Sequence, residues 1–289
     1  MSKDTLLVVL SDMHSGSNMA LFPNRFWQGK NGVNHTPTSK QEMIWKKFGE
    51  VAANIAKERK DKRVILVHNG DAIDGVHHGS LDVATRDVGE QGELHIELMD
   101  WFQKKIKWQR GDKLYYVAGT ETHTGDTEDW IAKSLNAQQS EDGSYYRNQL
   151  ELLVNNRRIN FVHHGPPAGK GANEGNSMRN WLRDIYFDSL KDKQPPPDMV
   201  ISGHVHQPTY STYVAREGDA FRMVHGIICP SWQMKTRYAH MAAPMARNKI
   251  GGTSTVITET GDIRTPKFDM METQSIDRAD WDLAEALLK

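Results

Sequence analysis

Three compact apolar runs, at 5–10, 64–68 and 113–118, are separated by two long amphipathic segments, and that alternation leaves few folds open. Continuous apolar runs of this length suit strands buried on both faces. The first intervening segment opens with a Ser39/Glu42 capping box and carries Ile44, Phe48, Val51 and Ile55 at helical spacing. The second carries Leu94, Leu98, Trp101, Phe102 and Ile106, a core-facing stripe. A βαβαβ start of this kind predicts a parallel sheet with right-handed crossovers.

The pattern changes after residue 118. Segments 150–154 and 159–163 around Asn155–Arg158 predict a β-hairpin. A helix is expected around Met178, Trp181, Leu182 and Ile185, ending before Pro195-Pro196-Pro197. Short strands are expected from 199 to about 270, then an amphipathic tail carrying Trp281, Leu287 and Leu288. No repeat or Gly/Ser linker interrupts the chain, so one domain over 1–272 and a tail over 273–289 are expected. Two long irregular stretches, 15–38 and 75–88, have the length of functional loops.

Each strand run ends in residues that bind metals. The first leads into Asp12-x-His14, the second into Gly70-Asp71-x-x-Asp74, and the third into Gly119-Thr120-Glu121-Thr122-His123. The hairpin ends in His163-His164-Gly165, and 200–202 leads into Gly203-His204-x-His206. Ligands of open α/β sheets bind at the carboxyl ends of the strands. Taken singly, Asp12 reads as a helix cap, Asp71 as a turn residue, and His163 and His164 as satisfied strand histidines. Five such motifs in order, each at a strand end, do not. Carboxylates and imidazoles without thiolates suit Mn, Fe, Zn or Ni better than Ca or Mg. A second ion requires a bridging carboxylate, and Asp71 sits on a turn tight enough to provide one.

Composition excludes several alternatives. The 36 Lys+Arg and 37 Asp+Glu nearly cancel, so the chain is not a globally basic nucleic-acid coat. One cysteine, Cys229, excludes an intrachain disulfide, a Cys-based zinc knuckle and a redox CxxC pair, and is expected in the core. No run approaches the ~18 apolar residues of a membrane span, and the first apolar run is too short for a signal peptide. A cytoplasmic protein that does not engage membranes is expected. The segment 165–170 is one residue short of a P-loop, and Gly175–Arg179 lacks the closing Gly of a nucleophile elbow.

The ordered set Asp12-x-His14, Gly70-Asp71, Gly119…His123, His164-Gly165 and Gly203-His204-x-His206 resembles the calcineurin-like metallophosphoesterase family over roughly residues 5–210. The Gly-Thr-Glu-x-His variant looks most like the bacteriophage- and prophage-type members. The resemblance implies an α/β fold in which a two-sheet mixed β-sandwich is flanked by helices, in four αββα layers. It implies Asp12, His14, Asp71 and His206 around one divalent ion and Asp71, His164 and His204 around a second, with Asp71 bridging. Manganese is the first expectation for both ions, with Fe, Zn and Ni as alternatives. The family has Asn where this chain has Thr120-Glu121. Glu121 is favoured as the replacement ligand, with Thr120 or no ligand as the alternatives. His123 matches the family's general acid, with Asp126 as its candidate orienting group.

His163 is expected to face away from His164, because adjacent strand side chains alternate. The dipeptide His225-Gly226 is the weaker match to His164-Gly165, and Asp74, His77 and His78 are candidates for supporting or substrate-binding roles. Two ions about 3.5–4 Å apart would generate a hydroxide for in-line attack on phosphorus. The expected activity is phosphodiester hydrolysis, with nucleic acid as the leading substrate. Phe22, Arg25, Phe26, Trp27 and Lys30 of the first long loop are candidates to grip a single strand. The alternatives are a phosphomonoesterase acting on a nucleotide or phosphoprotein, and a catalytically silent, metal-stabilised binding module.

Overall fold

The computed structural model describes residues 3–30, 33–76, 82–124, 127–236 and 247–273. The elements run β1 (Thr5–Leu10), β2 (Trp27–Gln28), β3 (Asn34–His35), α1 (Ser39–Arg59), β4 (Arg63–Asn69), α2 (Val88–Lys105), β5 (Lys113–Val117), α3 (Glu121–Thr124) and α4 (Thr127–Ser134). They continue with β6 (Tyr146–Arg147), β7 (Gln149–Val154), β8 (Arg157–Val162), α5 (Asn176–Lys191), β9 (Met199–Ser202), β10 (Thr209–Glu217), β11 (Ala220–Ile228), β12 (Asn248–Ile257) and β13 (Lys267–Thr273).

The first sheet has the order β13-β12-β1-β4-β5-β6 and the second β10-β11-β9-β8-β7. In the first, β1, β4, β5 and β6 are parallel, whereas β12 and β13 are antiparallel additions. In the second, β8, β9 and β11 are parallel, with β7 and β10 antiparallel at the edges. Both sheets are therefore mixed, as expected from a parallel start followed by a hairpin.

Three apolar layers explain the stacking. Along β1, Leu6, Val8 and Leu10 face out against Ile44, Phe48 and Val51 of α1 and Leu94, Leu98 and Phe102 of α2. Leu7 and Val9 face in, against Phe161, Ile201, Ile227 and Cys229 of the second sheet and its following loop. The outer face of that sheet, through Val200, Val224 and Ile228, packs on Met178, Leu182 and Tyr186 of α5. The result is helix–sheet–sheet–helix, the expected αββα order. Each fully buried aliphatic or aromatic side chain contributes about 1.5–3 kcal/mol.

Several local expectations shift. The α1 cap is Thr38, whose hydroxyl accepts from Gln41 N while Gln41 Oε1 accepts from Thr38 N, so the capping box lies one residue before Ser39/Glu42. The hairpin turns on Asn155 and Asn156 alone, both left-handed at φ 47° and 63°, while Arg157 and Arg158 already belong to β8. Strands β10, β11 and β12 run to nine or ten residues rather than staying short. Residues 274–289, with the expected amphipathic tail, lie outside the described residues, as do His77, His78 and Asp126.

The start of loop 15–38, through Pro23, is part of the core, whereas most of the described residues after it are exposed. Leu21 and Phe22 are fully buried, and Trp27 packs on the same cluster. Arg25 pairs with Glu97 at 2.6 Å and Lys30 with Glu93, both partners on α2. Of the five residues considered for a grip, Phe22 is buried, Trp27 half-buried, and Phe26, Arg25 and Lys30 are exposed. Among the described residues, no helix is long and apolar enough to cross a membrane.

Candidate metal centre

All five motifs converge where the carboxyl ends of the parallel strands meet. Asp12 and His14 follow β1, Asp71 follows β4, Thr120 and His123 follow β5, His163 and His164 follow β8, and His204 and His206 follow β9. Five of these residues have left-handed backbones: Asp12, His14, Asp71, His204 and His206, at φ 43–65°. Such a conformation costs a non-glycine residue about 1–3 kcal/mol, and concentration at one spot is typical of a functional site. Two glycines make the turns possible. Gly70 has φ +87°, and a side chain there would strike the His163 ring; a side chain on Gly119 would strike the Asp71 backbone nitrogen.

Asp12, His14 and His206 present ligand atoms within 4.8 Å of one another. His206 Nε2 lies 3.1 Å from Asp12 Oδ1 and 3.3 Å from His14 Nε2. The Asp12 carboxylate also accepts from the backbone N–H of His204 at 3.0 Å and from the Ser11 hydroxyl. A second group comprises His163, His164 and His204, a third joins Asp12 and Asp71 through His163, and a fourth brings His14 and Asp74 together with His123. His163 Nε2 is 3.1 Å from Asp71 Oδ2, and its Nδ1 donates to the Asn69 carbonyl at 2.8 Å. Asp71 thus lies between the groups, 3.8 Å from His14 Nε2 as well.

The buried floor and the exposed lip carry opposite electrostatics. Burial favours a neutral Asp12, but His206 and His163 hold it down at about 2. Asp71 is likewise held well below the usual carboxylate range against burial, by His163 and His14. Burial opposes charge on His163, yet Asp12 and Asp71 lift it to about 9. His14 is raised in the same way, by Asp74 and Asp71. On the lip, burial and neighbouring imidazoles push His204 down to about 4 and His164 down as well.

The donor set fits divalent ions. His163 Nε2 and His14 Nδ1 are buried without a hydrogen-bond partner of good geometry, although carboxylate oxygens stand 3.1 and 3.3 Å away. Imidazole nitrogens and carboxylate oxygens that face one another unpaired are arranged for a shared cation. Oxygen and nitrogen donors without sulfur match the Mn, Fe, Zn or Ni expectation.

His123 and Thr120 complete the rim. His123 Nδ1 donates to the Asp74 carbonyl at 2.8 Å, and its ring meets His14 edge-on at 4.9 Å. Asp74 is buried, accepts from Gln233 Nε2 at 2.9 Å, and lies 3.3 Å from His14 Nδ1. Thr120 N donates to Asp71 Oδ1 at 2.6 Å, and its hydroxyl stands 3.4 Å from His204 Nδ1. Glu121 is exposed on α3 and joins none of the candidate metal groups among the described residues, whereas Thr120 contacts Asp71 and stands close to His204.

The expectation for His163 is corrected. Strand β8 ends at Val162, so alternation no longer governs residues 163 and 164, and both rings turn to the centre with centroids 4.9 Å apart. The signal available in the sequence was the His-His pair itself. His225, the weaker match, bonds Tyr210 Oη on β10 at 2.8 Å and joins none of the candidate metal groups.

The model of the calcineurin-like phosphoesterase family matches residues 5–208. The chain belongs to that family. No curated protein matches it. Among solved structures, 5'-nucleotidase from Candida albicans SC5314 is similar with a TM-score of 0.33 at 11% identity, over 90% of this chain and 52% of that one. The chain thus spans about half the length of that enzyme.

Proposed function

We propose that the chain hydrolyses phosphodiesters at a dinuclear centre. Asp12, His14, Asp71 and His206 hold one divalent ion; Asp71, His164 and His204 hold the other, with His163 against Asp71. The carrying observation is that every ion pair of Asp12, Asp71 and Asp74 among the described residues is with an imidazole, none with Lys or Arg. Carboxylates paired with imidazoles rather than with Lys or Arg are open to divalent ions, and the diester preference follows from the phage-type resemblance. The resemblance to phage-type members supports nucleic acid as the substrate, manganese as the metal and the cytoplasm as the location, and Phe26 offers a surface for one base.

Bound divalent ions supply Lewis acidity and a nucleophile at neutral pH. The residues of the chain do the rest. Thr120 N–H fixes Asp71 Oδ1, so that the bridging carboxylate keeps one orientation. With Nδ1 donating to the Asp74 carbonyl, His123 presents Nε2 as the atom that delivers a proton to the leaving oxygen.

Hydrolysis of bis- against mono-p-nitrophenyl phosphate with added Mn tests the diester reading. Faster turnover of the diester is expected; preference for the monoester overturns it, and no turnover of either favours a silent binding module. His123→Ala should retain both ions and lose about 10²–10⁴-fold on an alkyl phosphodiester, but far less on the nitrophenyl ester, whose phenolate leaves unaided. Equal losses on both substrates, or a lost ion, remove His123 from the acid role.

A further inference from the structure

The bridging role of Asp71 places unusual demands on Ala72, the next residue. Its N–H donates to Glu128 Oε1 at 3.3 Å, and its carbonyl accepts from Ser15 N at 3.0 Å. The other oxygen of the same carboxylate, Glu128 Oε2, accepts from Gly119 N at 2.7 Å. Glu128 lies on α4, 1% exposed, and supports from below the two loops that carry Asp71 and Thr120.

His95 on α2 reaches the same residue through Ser15. Its ring is fully buried, with Nδ1 3.2 Å from Ser15 Oγ and Nε2 2.9 Å from Tyr116 Oη, and it is Ser15 N that donates to the Ala72 carbonyl. Ser15 follows His14 directly, so His95 ties the loop of one ion to the loop of the bridge. Neither Glu128 nor His95 belongs to a candidate metal group.

We propose that Glu128, directly, and His95, through Ser15, are positioning residues that clamp Ala72 and so hold Asp71 in its strained left-handed conformation before any ion binds. The inference rests on the dinuclear reading given above and adds the groups that make its bridge. An unclamped Asp71 would relax toward an ordinary backbone, and each ion would then have to restore the turn. Groups that orient metal ligands typically contribute 10–100-fold in metal affinity.

The test uses the full chain with Glu128→Gln and His95→Phe, both close in size to the residues they replace. Titration with Mn alone should show both ions weakened about 10–100-fold, with kcat lowered and KM close to wild type. In the metal-free protein, amide exchange at Ala72 or Gly119 should quicken in the Gln variant. Lower thermal midpoints with wild-type Mn affinity and wild-type amide protection overturn the clamp and leave a merely structural role. Should the wild-type protein bind fewer than two Mn, the dinuclear reading fails on its own. The amide exchange of the metal-free variants then still decides the clamp, faster exchange supporting it and unchanged exchange overturning it.

Discussion

The floor and the lip of the metal centre are built from the same residue types and behave oppositely. On the floor, Asp12, Asp71, His14 and His163 are at most 3% exposed, and carboxylate and imidazole hold each other charged. On the lip, His164 and His204 are exposed, neighbour one another with centroids 4.3 Å apart, and are held neutral. The floor is thus organised by protons that take the place of a metal charge, whereas the lip is already deprotonated. One half must release protons to bind an ion; the other need not.

Removing the charge that links the halves should have the largest effect. Asp71→Asn should weaken both ions by ~100-fold or more, since even groups behind a ligand contribute 10–100-fold. His14→Ala should weaken mainly one. Metal analysis that shows equal losses in both variants would erase the division between floor and lip.

The pH dependence sharpens it. His163 is raised from 6.5 to about 9, so metal-free protein carries that proton at neutral pH, and an ion at Asp71 must displace it. Affinity for that ion should climb about tenfold per pH unit up to pH 9 and then level off. His204, lowered to about 4, should add no slope above pH 5. Calorimetry in buffers of different ionisation enthalpy reads the proton count. The same shift bears on stability: a raised histidine stabilises fully below 6.5 and loses that contribution as pH rises through 9. The thermal midpoint of metal-free protein should therefore fall by several degrees between pH 6.5 and 9, and Mn should abolish the fall.

Two smaller effects complete the comparison. His164→Ala should weaken one ion about tenfold and leave the pH slope intact, because its imidazole is already neutral. Phe26→Ala should raise KM for a single-stranded oligonucleotide about fivefold without altering metal content, the equivalent of one weak stacking contact. An unchanged KM would make loop 15–38 a packing element throughout.

What could be read from the sequence follows the same division. The strands whose ends carry Asp12 and Asp71 are legible because Leu6–Leu10 and residues 64–67 are continuously apolar and lead into an Asp. The alternation of β1 side chains between two cores was legible for the same reason. Strand periodicity does not place His163, because β8 ends at Val162 and the chain has already turned. Thr120 and Glu121 could not be separated by residue chemistry: the better donor, Glu121, lies on the outside of a short helix, and only the backbone path decides that. Phe22 and Phe26 are four residues apart in one loop and chemically alike, yet one is buried against His35 and the other exposed. Glu128 and His95 gave no signal, because a residue that acts through the backbone of another has no spacing to recognise.

Cys229 has a consequence of a different kind. Its thiol lies between the two sheets at 0% exposure, with burial raising its pKa well above that of an ordinary thiol, and its N–H donates to the Ser202 carbonyl one residue before Gly203-His204. As the chain's only sulfhydryl, it is silent to a thiol reagent while the sheets stay together. Its labelling rate is therefore a built-in clock for separation of the sandwich, readable on a single site without introducing a probe.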